Sequence, residues 1–214
     1  MASLDQGVFV TGIDTGIGKT VVSAVLTKML SATYWKPVQA GDLSTSDTIT
    51  VGQLTGECPT SPEAFQLQTP ASPHYAAAID GVSITVQDIA VPKTRPLVAE
   101  GAGGVLVPLN DRETILDLMI KVGLPVVVAS RHYLGSINHT LLTLQAIRQR
   151  GLTVAGIVFL GPPTPPTEEV IALQGKAPIW GRLPWLANPP TADDISQWAD
   201  DLKGGVFGNA SDHR

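Results

Sequence analysis

Lys19 and Thr20 close a glycine-rich segment, Val8-Phe9-Val10-Thr11-Gly12-Ile13-Asp14-Thr15-Gly16-Ile17-Gly18-Lys19-Thr20, whose residue types suit the handling of phosphate. Backbone N–H groups at a helix N-terminus are unpaired and partly positive, so they gather phosphate oxygens where no side chain blocks the approach. Gly16 and Gly18 leave that approach open, and Gly16, Ile17, Gly18, Lys19, Thr20 and Val21 are the candidate nucleotide contacts. A lysine here bridges the β- and γ-phosphates, and the Thr20 hydroxyl suits Mg²⁺. The common spacing G-x-x-x-x-G-K-[ST] asks for glycine at position 13, where this chain has Ile13, with Gly12 one residue early. Asp14 stands where one subclass of such ATPases carries a second, signature lysine.

Three more charged residues fall at places where elements end. Lys36 precedes Pro37, a residue that halts regular structure, and can point beside Lys19 at a shared polyanion. Its plainer reading is a solvated strand-end lysine. Asp47 follows Ser46, a candidate N-cap, and either complements a helix dipole or ligates Mg²⁺. Glu100 finishes the apolar run Leu97-Val98-Ala99 before Gly101-Ala102-Gly103-Gly104. A carboxylate ending a buried strand is costly without a cation, which makes Glu100 a metal-ligand candidate before a glycine-rich turn. In Leu134-Gly135-Ser136-Ile137-Asn138-His139, Ser136 is the expected N-cap of a long helix and its free amides a second anion site. His139 reads as a structural histidine.

These residues need a scaffold of alternating strands and helices. The pattern predicts strands at 7–11, 34–37, 96–100, 124–129, 154–160 and 178–182, and helices at 19–30, 46–55, 113–122, 136–150, 167–174 and 192–202. Runs such as Pro125-Val126-Val127-Val128-Ala129 are apolar on both faces, as in a parallel sheet covered by helices. The expected fold is α/β: a doubly wound, mostly parallel sheet of the P-loop nucleotide-binding type, in a single domain over 1–203 with a frayed tail at 204–214. Residues 56–80 and the Gly-Pro-Pro-Thr-Pro-Pro of 161–166 read as loops.

Bulk properties narrow the partners. The chain has 214 residues and net charge −5, which argues against a general nucleic-acid binder. It has one cysteine, Cys58, so no intrachain disulfide forms. No apolar run approaches a membrane span, and Met1 to Gln6 lack a signal-peptide pattern. A cytoplasmic location is the expectation.

VTGIDTGIGKT, YWKPVQAG, the Ser46-Asp47 pair, TPASPH, VAEGAGGVLVPL, LGSINHTLLT and LPWL, running from Val10 to about Leu186, together closely resemble the dethiobiotin synthetase family. The resemblance implies an ATP-dependent ligase that closes a ureido ring on 7,8-diaminononanoate with CO₂ (or bicarbonate), through a carbamate and a carbamic–phosphoric anhydride. It implies Lys19 and Lys36 as catalytic residues and Thr20, Asp47 and Glu100 as Mg²⁺ ligands. Asp47, Glu100, Gly101, Ala102, Gly103, Leu160, Gly161, Pro184, Trp185 and Leu186 fall on nucleotide-binding positions. Thr15, Lys36, Ala40, Gly135, Ser136 and Asn138 fall on substrate positions, the last three contributed across a homodimer interface. ATP is then a co-substrate and Mg²⁺ the cofactor. The chain departs from the family pattern at Leu160 and Gly161, where an Asn-Asp pair is usual, at Ala40, where a hydroxyl is common, and in a short 82–95 connection.

Two other readings share the phosphate loop. A cobyrinic-acid-type amide synthase needs an ammonia source, and Cys58 has no nucleophile-elbow context. A partitioning-type nucleotide switch is opposed by Asp14 and by the second lysine at Lys36.

Overall fold

The computed structural model describes residues 4–56 and 58–207. β1 (Gly7–Gly12) is buried along its whole length, as an apolar run covered on both faces must be. It pairs in parallel with β6 (Leu97–Gly104) on one side and β7 (Val126–Arg131) on the other. β2 (Thr33–Trp35) and β4 (Thr60–Ser61) continue the sheet past β6, and β8 (Val154–Leu160) and β9 (Ile179–Leu183) continue it past β7. The result is a seven-stranded parallel sheet in the order β4-β2-β6-β1-β7-β8-β9. Its carboxyl ends line up along one edge, where doubly wound sheets collect ligands.

Two groups of helices cover it. α1 (Lys19–Leu30) packs against α2 (Asp47–Thr55) and α7 (Ala192–Phe207), and α5 (Ser136–Gln149) packs against α6 (Pro165–Gly175). α4 (Ile115–Val122) lies against β6. Phe9, Val25, Leu26, Val98, Val127, Ile157 and Phe159 are fully buried between these layers.

Four expectations about strands and loops need correction. The 56–80 stretch is not all loop: besides β4 it holds β5 (Phe65–Leu67) and α3 (Pro73–Asp80). β5 pairs with β3 (Val38–Ala40) in a separate two-stranded sheet, and short elements of this kind leave too few residues for a periodic signal. The expected 34–37 strand ends at Trp35, because Pro37 lacks the N–H that a continued ladder needs. The 161–166 stretch enters α6 at Pro165, since proline fits the first turn of a helix, whose N–H groups have no intrahelical partner. β6 runs through Gly104 rather than turning after Glu100, because Gly104 pairs with Gly12 of β1.

α7 continues to Phe207, past the expected end at 202. A Cβ on Gly205 would stand 2.8 Å from the Trp180 carbonyl oxygen, so glycine is what lets the last turn approach β9. The rest of the expected tail, from Gly208, and Met1 to Ser3 lie outside the described residues.

Candidate active site

The phosphate loop joins β1 to α1, and its glycines are there for backbone reasons. Gly18 occupies the N-cap of α1 at φ 94°, a left-handed conformation that costs a side-chain-bearing residue strain. Gly12 faces Ile17, whose Cδ1 would lie 2.5 Å from an added Cβ. Ile17 itself is 4% exposed and anchors the loop, while Ile13 is also buried, which explains why an apolar residue stands at the position of the usual first glycine. Lys19 is only 7% exposed and its Nζ donates to the Asp14 carbonyl at 3.0 Å. Burial, aided by the neighbouring Lys36 ammonium, lowers its pKa to about 8 against the pull of Glu100 and Asp47. A cation so short of counter-charge is primed for a polyanion.

Behind the loop, four elements deliver a buried polar cluster. Lys36, just past β2, places Nζ 2.6 Å from Asp47 Oδ2 and 3.1 Å from Glu100 Oε1, and donates to the Gly101 carbonyl at 3.2 Å. Thr20 Oγ1 lies 2.8 Å from Asp47 Oδ1 and 3.3 Å from Glu100 Oε1. Ser46 caps α2 as expected, accepting from the Ile49 N–H, and thereby sets Asp47 in the first turn. Burial opposes the charge on Lys36, yet the Glu100 and Asp47 carboxylates raise its pKa. Burial likewise opposes Asp47, and the Lys36 ammonium more than compensates, holding its pKa below the usual carboxylate value. In the Lys36–Asp47 pair each group thus favours the charged form of the other.

A cleft of about 780 Å³ opens over this cluster, lined by Thr15, Gly16, Gly18, Lys19, Thr20, Lys36, Ala40, Asp47, Glu100, Ala102, Gly103 and Trp185. Gly101 joins the cluster beneath it through its carbonyl, which accepts from Lys36. Leu160 is buried against Gly18, and Gly161 approaches Trp185. Pro184 and Leu186 flank Trp185 on the exposed segment after β9. Val21 is half-buried in the first turn of α1.

Gly135, Ser136 and Asn138 do not line this cleft. Ser136 is not the N-cap: Gly135 takes that position at φ 107°, because glycine adopts the left-handed turn freely, and Ser136 becomes the first buried residue of α5. Asn138 is exposed, and so is His139, whose Nδ1 shares a 2.7 Å hydrogen bond with the Tyr133 hydroxyl.

Sequence reasoning passed over two members of the cluster. The fully buried Tyr34 donates its hydroxyl to Glu100 Oε2 at 2.9 Å. Gln39 accepts from the Asp47 N–H at 3.2 Å and donates to the Gly41 carbonyl. Strand alternation holds the signal for Tyr34, two residues before Lys36 and so on the same side of the chain.

A glycine-rich loop at the mouth of a parallel sheet, with a buried lysine, a threonine and two carboxylates behind it, defines a P-loop nucleotide-binding protein. The AAA domain family model matches residues 6–189. Solved structures share the fold: a putative plasmid partition protein from Borrelia burgdorferi bound to AMPPNP (TM-score 0.61, 11% identity, 94% of this chain and 98% of that one) and the Pyrococcus furiosus cell division ATPase MinD (TM-score 0.54, 13% identity, 92% and 98%). Sequence relatives are far nearer. The ATP-dependent dethiobiotin synthetase of Nitrobacter hamburgensis is 50% identical over 193 residues, 89% of this chain and 91% of its own. That of Rhodopseudomonas palustris is 49% identical over 187 residues, covering 86% and 88%. The chain belongs to the ATP-dependent dethiobiotin synthetase family, and is thus an ATP-dependent ligase. Among the described residues no helix is long and apolar enough to cross a membrane.

Proposed function

We propose that this enzyme makes the ureido ring of dethiobiotin from 7,8-diaminononanoate, CO₂ and ATP in the cytoplasm. The observation that carries the reading is the convergence of Lys19, Lys36, Thr20, Asp47 and Glu100 beneath one cleft. One substrate amine attacks CO₂ and loses a proton, giving a carbamate. The carbamate oxygen attacks the γ-phosphorus and ADP leaves. The second amine then attacks the carbamoyl carbon, a C–N bond forms, and inorganic phosphate departs with the proton balance closed by solvent.

The residues suit these demands. Loop amides and Lys19 meet the charge that builds on phosphoryl oxygens. Lys36 stands beside the same path and orients the anionic carbamate for attack. Thr15 and Ala40 line the same cleft and, in this reading, face the diamine. The Thr20 hydroxyl, within 3.3 Å of an oxygen of each of two carboxylates, makes with them a set of hard oxygen donors that fit Mg²⁺. Thr20, Asp47 and Glu100 would hold Mg²⁺ there, and the ion would supply positive charge against the phosphates.

Gly135, Ser136 and Asn138 belong, in this reading, to the diamine site of a partner subunit. The surface around α5 supports a homodimer: Leu106, Leu142 and Leu134 are 64%, 55% and 104% exposed, and Leu106 and Leu142 flank His139 in a shallow groove. Exposed apolar patches of this kind mark interfaces. Mass spectrometry of the product from diaminononanoate, ¹³C-bicarbonate and ATP tests the activity. Labelled dethiobiotin is expected; ATP turnover that ignores the diamine refutes it.

A further inference from the structure

The phosphate loop continues without a gap into an aromatic and cationic surface. A Cβ on Gly18 would stand 2.4 Å from Leu160 Cδ2 and 3.5 Å from the Trp185 ring, and Trp185 lines the cleft together with the loop, so its ring is within reach of a nucleotide whose phosphates sit in the loop. The Arg131 guanidinium lies over the Trp185 ring, 3.7 Å from its centroid, and Trp185 is 44% exposed. Hydrogen-bonding groups at the end of β8 are meanwhile absent or engaged. Leu160 has an apolar side chain and is 1% exposed. The Gly161 N–H donates to the Leu183 carbonyl at 2.9 Å. The Gly161 and Pro162 carbonyls each accept from Arg182 at 3.1 Å, while Pro162 and Pro163 have no N–H. The Thr164 N–H donates to Glu168, which also pairs with Arg182.

We infer that the base of the nucleoside triphosphate is held by stacking on the Trp185–Arg131 pair, with no side chain reading its edge, so that the site accepts purine and pyrimidine triphosphates alike. This rests on the reading of the cleft as a nucleoside triphosphate site. Stacking is tolerant of base identity because every base has a π face. Discrimination, by contrast, comes from polar groups that a wrong base leaves unpaired.

Calorimetric titration with the β,γ-imido analogues of ATP, CTP, GTP and UTP tests it, alongside kcat/KM for dethiobiotin formation with the four triphosphates. We expect all four affinities, and all four kcat/KM values, to fall within about tenfold, less than two well-placed bidentate contacts would impose. Trp185→Ala should weaken all four analogues by a similar factor, about tenfold. A spread wider than tenfold in either series overturns the inference. An adenine and cytosine preference of that size would point to the Gly161 carbonyl as reader. A change in relative affinities in Asn188→Ala or Thr164→Val, polar residues three positions along the chain from Trp185 and Gly161, would also overturn it. If the analogues bind within tenfold yet no triphosphate yields dethiobiotin, the activity assignment fails while the base inference stands.

Discussion

At the residue scale, the site sets Lys36 against the Asp47 and Glu100 carboxylates, with Lys19 beside them. Lys19→Ala should nearly abolish turnover, and Lys36→Ala should lower kcat by about a hundredfold, the usual cost of about 3 kcal/mol for one preorganised transition-state charge. Nucleotide binding should survive Lys36→Ala, because the loop amides and Lys19 remain. Turnover of Lys36→Ala within a few-fold of wild type would remove Lys36 from the chemistry. Tyr34 acts one step further back. Its hydroxyl fixes Glu100 Oε2 while Oε1 faces Lys36 and Thr20. Hydrogen bonds to charged groups contribute about 1.5–3 kcal/mol. Tyr34→Phe should therefore raise the Mg²⁺ concentration for half-maximal rate about tenfold or more, with the fold intact by circular dichroism. An unchanged Mg²⁺ requirement would make Tyr34 a packing residue only.

At the element scale, the ends of helices carry the design. α4 begins with Asp117 accepting from the Thr114 N–H at 2.8 Å and the Thr114 hydroxyl at 2.9 Å, with Arg150 at 2.7 Å from its other oxygen. Burial opposes the Asp117 charge, but these donors win and hold its pKa below the ordinary value of 3.8. A lowered carboxylate pKa stabilises the fold above the unfolded-state value, and that contribution is lost as pH falls through the folded value. Asp117→Ala should cost about 1 kcal/mol at pH 7, a typical capping loss, and markedly less in acid. Denaturant titrations of both proteins at pH 7 and pH 3 check this; an equal difference at both pH values would show that the cap does not act through its charge. Gly18→Ala tests a different helix end. At φ 94° with Leu160 Cδ2 2.4 Å from the new methyl, it should disturb the loop and weaken nucleotide binding by at least tenfold, an effect of about 1.4 kcal/mol. Calorimetry with a triphosphate analogue reads it directly.

At the scale of the whole molecule, the proposed homodimer with a shared diamine site makes a prediction of its own. The start of α5 does not line the cleft of its own chain, and apolar side chains stand exposed around it. Mixing Lys19→Ala subunits with Asn138→Ala subunits separates the possibilities. If the helix start serves the neighbour, each heterodimer has one intact site, and activity should return to roughly a quarter of wild type after random reassociation. Mixtures no more active than either parent, or a fully active monomer at assay concentration, would refute the shared site.

The sequence by itself determined the sheet, the loop and the identity of the ionised groups, because each is written in local chemistry. A both-sides-apolar run can only be a buried strand or helix, Gly16-Ile17-Gly18-Lys19-Thr20 has few uses other than phosphate, and Ser46 caps α2 wherever α2 packs. It did not determine the short elements β3, β5 and α3, whose few residues hold too little periodicity, nor that Gly135 rather than Ser136 takes the cap of α5. Only the tertiary structure decided that Tyr34, Lys36, Asp47 and Glu100 share one buried cluster, and that Arg131 lies on Trp185. Tyr34 and Lys36 lie 66 and 64 residues from Glu100 along the chain. Contacts at such separation are set by the pairing of β2 with β6 and of β7 with β8, which no local pattern encodes.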